Sequence, residues 1–355
     1  MSVMKKQLRF WSSILLLLRK MSKRYYLIAM LLCLILLISA CKKTGAATGT
    51  APRTPFIGGT AGITMGFEKG NPPPEVTDDG SFEFNAIVRL KNDGEFTVDK
   101  SQIKLNLIGF DPGDFSLGGF DGLRNVEPEA KLEPRRRGAE GDIIEGTTTF
   151  ATFPRDGFFT PVEFVGNTEF TFRAEACYNY RTQAFAKLCV LRDMVNVKDN
   201  SICKPNGAKT IQSSSAPVQV SNLKQNVIGK DKLSFSFDII LNGNVDIFSD
   251  IEKPSTGFDI ACPKEPRQRR QVENKVTVQV IESPSDPILI NTKCGGLGNS
   301  KQGEVFLVDG KRTIICTAEL VSDREDLERG IAVDVSYNVL DDKETKVLVK
   351  HLAEP

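Results

Sequence analysis

The stretch Lys232-Leu233-Ser234-Phe235-Ser236-Phe237-Asp238-Ile239-Ile240-Leu241 decides the fold. Leu233, Phe235, Phe237, Ile239 and Leu241 share one parity, and Lys232, Ser234, Ser236 and Asp238 share the other, with Ile240 the one apolar exception. Successive side chains of an extended chain point to opposite faces, so this pattern predicts a strand with one face buried and one in water. The same period recurs at Phe82, Phe84, Ala86, Val88 and Leu90, and again at Ile103, Leu105 and Leu107. It returns at Val276, Val278 and Val280 and at Val333, Val335, Tyr337 and Val339. Gly, Pro, Asn and Asp punctuate the runs, as antiparallel strands and tight turns require.

No apolar repeat of 3.6 residues extends beyond two turns. Ser322–Gly330 is charged and ends in Gly, so it reads as one short helix or a loop. The fold class is therefore all-β, with two tandem antiparallel immunoglobulin-like sandwiches. Lys204–Pro217 has linker composition and precedes a fresh strand series. The expected layout is a first sandwich at 56–210, a linker at 211–215 and a second sandwich at 216–355. The segment 170–191, which carries Tyr178 and Tyr180, reads as a hairpin turning at Arg181–Ala184.

The 355 residues include 46 Lys and Arg, 45 Asp and Glu, eight Cys and one His. Seven of the basic residues and none of the acidic ones fall in 1–41, which leaves the rest of the chain at −6. An acidic body repels phosphate backbones, so no nucleic-acid partner is expected. With His351 alone, a His-based triad and a multi-His metal site are excluded. There is no Gly-x-Ser-x-Gly, no P-loop and no Asn-x-Ser/Thr sequon.

The N-terminus reads as an address. Leu27–Ile38 is a twelve-residue uncharged run between Lys23-Arg24 and Lys42-Lys43, the length of a signal-peptide core and short for a membrane span. Ile38-Ser39-Ala40-Cys41 places a branched aliphatic and two small residues before a Cys. This resembles the lipobox of bacterial and some archaeal lipoproteins, and the resemblance implies cleavage before Cys41 and a lipid on its sulfur. Residues 1–41 are then a signal segment, with Met21 a possible true start, and 42–55 a Thr/Gly/Ala-rich tether. A retained N-terminal helix, with Tyr25 and Tyr26 at the interface, is the alternative anchor. Either way the body lies on the extracytoplasmic face of the cell membrane.

Cys33 lies in the apolar run and Cys41 is the lipid candidate, leaving Cys177, Cys189, Cys203, Cys262, Cys294 and Cys316. Zinc sites favour close Cys-x-x-Cys pairs, which are missing; six cysteines in an exported chain predict three disulfides. Cys189–Cys203 and Cys294–Cys316 would close short loops and leave Cys177 for Cys262. Cys177–Cys189 is the rival, one of fifteen possible pairings.

Ala86-Ile87-Val88-Arg89-Leu90-Lys91-Asn92-Asp93-Gly94 runs a strand into an Asn-x-Gly turn. This resembles immunoglobulin-like surface modules of the CARDB type, which implies an adhesion or spacer role and no catalytic residue.

Two loops stand out as binding candidates. Phe110–Gly122 holds Phe115 and Phe120, together with Asp111, Asp114 and Asp121, oxygen ligands of the type calcium prefers. Their spacing matches neither an EF-hand nor a nonapeptide repeat, and Asp is also a common turn residue, so no cofactor is expected unless calcium binds there. Lys264–Lys275, with Arg267, Arg269 and Arg270, and the run Arg135-Arg136-Arg137 are basic. Pro134, Pro263 and Pro266 predict loops there, either solvated or in contact with anionic headgroups or acidic glycans. The function these features imply is a non-catalytic, membrane-anchored binding or adhesion scaffold with an unidentified surface protein or glycan partner. The alternatives are a self-assembling envelope component and a hydrolase using two carboxylates.

Overall fold

A computed structural model describes residues 55–250, 262–282 and 288–352. The described chain is nearly all strand. It opens with β1 (Ile63–Phe67), β2 (Glu75–Thr77), β3 (Ala86–Asn92) and β4 (Ile103–Ile108). A small hairpin, β5 (Arg136–Arg137) and β6 (Ile143–Ile144), precedes β7 (Thr148–Phe153) and the long β8 (Thr168–Val190). Next come β9 (Gly207–Ala208), β10 (Ile211–Ser213), β11 (Val218–Gly229), β12 (Lys232–Leu241) and β13 (Asp246–Phe248). One helix, α1 (Pro266–Val272), leads to β14 (Lys275–Glu282), β15 (Leu289–Gly295), β16 (Gln302–Phe306) and β17 (Lys311–Leu320). The long β18 (Leu327–Lys350) ends the series.

β8 and β18 pair antiparallel without a register shift from Leu327↔Val190 to Val349↔Thr168. At about 3.3 Å per residue, β8 alone runs about 75 Å. Its even-numbered side chains, from Phe172 through Tyr180 and Thr182 to Leu188, are buried on one face. The matching face of β18 carries Ile331, Val333, Val335, Tyr337 and Val339. The alternation stays in phase through Arg181–Ala184, where no Gly or Pro interrupts it. The hairpin expected there is therefore one continuous strand.

Short strands flank much of this ladder on both edges. On the β8 edge, β4 pairs with residues 173–178 and β10 with 184–186. On the β18 edge, β14, β13 and the parallel β2 succeed one another. Two smaller sheets, β1-β3-β7 and β15-β17-β12-β11-β9, complete the sandwiches. Both lie on the same face of the ladder. The Tyr180 hydroxyl donates to Asn92 Oδ1 at the end of β3 (3.2 Å), and Thr182 Oγ1 donates to the Val218 carbonyl in β11 (2.6 Å). Tyr337, the ladder partner of Tyr180, accepts from Val218 N at 3.2 Å.

The sequence boundary at 211–215 is corrected by this arrangement. Ile211–Ser213 is a strand of the large sheet, and Ser214, Ser215 and Ala216 are buried. The Glu95 carboxylate accepts from the backbone N–H groups of Ile57, Gly58 and Ser215. Glu95 N in turn donates to Ser215 O. Small polar residues serve here because their hydroxyls and exposed backbone satisfy a crowded junction, not because the chain must be free. The described residues form one compact unit in which the two sandwiches share β8 and β18.

The cysteines form Cys177–Cys262, Cys189–Cys203 and Cys294–Cys316. Since Cys177 and Cys189 lie on one unbroken strand, about 40 Å apart, they could not have met. Three disulfides belong to an oxidising, extracytoplasmic compartment. No helix among the described residues is long and apolar enough to cross a membrane.

Tyr337→Phe tests the junction. It would leave the Val218 N–H without its buried acceptor, so stability should fall by about 1–3 kcal/mol in chemical denaturation. A change below about 0.5 kcal/mol would show that the hydroxyl bonds add little.

Candidate functional site

The aromatic loop divides into core and surface. Asp111 caps a 3-10 turn by accepting from Gly113 N at 2.9 Å, and Pro112 opens that turn. The turn drives Phe115 inward, where its ring meets Phe84, Phe110, Phe159, Phe170 and Phe172. Phe115 is fully buried, and this corrects its reading as a binding-loop residue. Phe120 is 42% exposed, with the Arg124 guanidinium 3.9 Å from its ring centre. The neighbouring loop, joined by Arg155 N to Gly122 O, leaves Phe158 53% exposed. Asp111 is engaged as a cap, and no group of three or more His, Cys, Asp or Glu among the described residues is arranged to hold a metal. Asp114 and Asp121 stand in the same loop without converging on Asp111.

The second basic cluster is also rearranged. Glu265 accepts from Gln268 N at 2.8 Å and Pro266 follows it, so Arg267, Arg269 and Arg270 lie on α1 rather than on a loop. Arg269 is committed to Glu273 and Asp246, each at 2.9 Å, and its guanidinium sits over Phe248. These two carboxylates raise its pKa further. Arg267 and Arg270 remain exposed. Beneath α1, Cys262, Phe248 and Val272 pack on Cys177, on the ladder face opposite the two small sheets. Cys41, Met21 and the tether up to residue 54 lie outside the described residues.

A further concavity lies elsewhere, at the Val190 end of the ladder. A cleft of about 450 Å³ is lined by Leu191, Arg192, Asp193, Lys198, Glu325 and Asp326, with Asn196 and Ser201 on its rim. Its walls are fixed from behind. The Arg324 side chain is 0% exposed and donates to the Leu191, Arg192, Val321 and Lys230 carbonyls and to Asp231. The Gln225 amide bonds both N and O of Cys189, and Cys189–Cys203 closes the segment. Asp326 accepts from Arg192 N at 2.6 Å.

Asp193 braces the loop internally. The Asn196 N–H, the Asn196 amide and the Val195 N–H hold its carboxyl at a pKa of about 2. It is thus an ionised brace with occupied lone pairs, unsuited to proton donation near neutral pH. Asp341 is the carboxyl that burial pushes up, but its ladder partner Ala176 is about 50 Å along β8 from the cleft. The two environments therefore do not form a general acid and base. The missed signal was the disulfide loop itself: Met194-Val195-Asn196-Val197-Lys198 offers no motif, and its meaning comes from Arg324 more than a hundred residues later.

No protein-family model matches the chain, and no curated protein matches it. Among solved structures the chain aligns with the secreted serine protease VesC from Vibrio cholerae, at 8% identity and a TM-score of 0.16. The alignment covers 78% of this chain and 51% of the protease chain, so this chain spans about half that structure's length. A likeness so low carries no inference about fold or activity.

Two substitutions separate core from surface in the aromatic loop. Phe115→Ala should cost about 3–5 kcal/mol in thermal or chemical unfolding, while Phe120→Ala should stay within about 0.5 kcal/mol. Equal losses would mean that Phe120 is also packed. For the cleft, Asp193 has a folded pKa below its ordinary 3.8, so its contribution is present above about pH 4 and lost as pH falls through about 2. Asn196→Ala should move the Asp193 carboxyl titration, followed by NMR, back toward 3.8; an unmoved titration would remove the brace.

Proposed function

We propose that this protein is a non-catalytic, membrane-tethered scaffold that binds a partner on the extracytoplasmic side. The observation that carries the reading is the loop end braced by Arg324 and Cys189–Cys203. There a cleft lined by charged side chains is built on a braced backbone. Two sandwiches fused through one ladder give a stiff platform for such a loop. At the opposite end, Phe120 and Phe158 leave aromatic surface for a protein or glycan partner.

The tether follows from Ile38-Ser39-Ala40-Cys41 and the polar 42–55 segment. Its chemistry is lipidation of the Cys41 thiol followed by cleavage of the Ala40–Cys41 peptide bond. The acidic mature body suits a protein or glycan partner better than a polyanion.

Mass spectrometry of the membrane-extracted protein tests the anchor. The N-terminal peptide should begin at Cys41 and carry a diacylglyceryl group. Cys41→Ser should release the body or leave the precursor uncut. A mature chain that starts at Met1 or Met21 would contradict the lipid anchor and leave a retained helix in its place.

A further inference from the structure

The cleft at the Val190 end carries charges of both signs that do not meet. Arg192 and Lys198 stand on the disulfide-closed segment, and Glu325 and Asp326 on the segment leading into β18. Among the described residues no side-chain ion pair within 4.0 Å joins the two sets. Opposite charges on mobile surface loops ordinarily close on each other or are screened by solvent. Here the backbone that carries both sets is fixed. Arg324 ties the carbonyls of Leu191 and Arg192 to those of Lys230 and Val321, Gln225 locks Cys189, and Asp193 fixes Val195 and Asn196. Asp326, a lining residue of the cleft, accepts from the Arg192 N–H through one of its two oxygens.

We infer that this cleft binds a compact zwitterion, a molecule of the amino-acid or short-peptide class with a free ammonium and a free carboxylate. The carboxylate lies between Arg192 and Lys198, and the ammonium between Glu325 and Asp326. Leu191, an almost fully buried lining residue, provides the apolar contact. The space of about 450 Å³ is in the range of small-molecule sites and holds one or a few amino-acid residues. A singly charged ligand would pair with one wall only and gain nothing from the other, so a molecule carrying both charges is favoured over it. The inference deepens the scaffold reading and gives one of its ends a ligand class.

The full chain in detergent micelles should be titrated calorimetrically with glycine, 4-aminobutanoate, glycylglycine and triglycine, and with the capped analogues N-acetylglycine and glycinamide. At least one zwitterion should bind at least tenfold more tightly than both capped analogues, and its chain length distinguishes a free amino acid from a peptide. Lys198→Gln and Glu325→Gln should each weaken that ligand at least tenfold with unchanged circular dichroism, since both side chains are exposed. No binding of any zwitterion, equal binding of a capped analogue, or indifference to both substitutions would overturn the assignment. The Cys41 mass measurement is independent, so loss of the tether and loss of the ligand site are told apart.

Discussion

The uninterrupted pairing of β8 with β18 is the constraint on which the rest depends. A pair of strands this long has to satisfy its flanking backbone groups and cover its apolar face along the whole length. The short strands β2, β4, β10, β13 and β14 do the first, docking in turn on either edge. The two small sheets do the second, side by side on one face. Where these two sheets meet, the ladder face carries the hydroxyls of Tyr180, Thr182 and Tyr337. Hydroxyls are needed there because β11 starts and β3 ends over the same spot, and their loose backbone groups require partners.

Much of the fold was legible. The alternation in β3 and β4 is unbroken because one face of each is core, while β12 and β14 keep the phase but also bury Asp238 and Thr277. Boundaries were less legible. Arg181–Ala184 gave the impression of a turn because the aromatic run stops, yet Thr182 and Ala184 keep the phase. Ser213-Ser214-Ser215 resembled a linker by composition, and only partners far away in sequence, Gln183 for Ser214 and Glu95 for Ser215, explain why these last two are buried. Pro266 suggested a loop, whereas after Glu265 it begins a helix.

The candidate sites divide the same way. Phe115 and Phe120 are indistinguishable in a linear reading; a capped 3-10 turn sends one to the core and leaves the other outside. The cleft at the Val190 end was invisible, because its walls come from two segments more than a hundred residues apart, joined by Arg324 and by the Arg192 N–H to Asp326. Such a bracing arginine carries its charge into a buried place where carbonyl oxygens and Asp231 satisfy all of its nitrogens. Stiffness made at the centre by the ladder is thereby extended to loops at its end, and preorganised loops bind without the cost of ordering themselves.

The most direct test is native-state hydrogen exchange of the disulfide-intact protein across a denaturant series, comparing β3 and β7 with β12 and β17. If both sandwiches hang on one ladder, the slowest amides of the two should share one opening free energy and one denaturant dependence, merging in a single global transition. Separate isotherms, with one sandwich opening fully while the other stays protected, would contradict the claim that the ladder makes the two sandwiches one body.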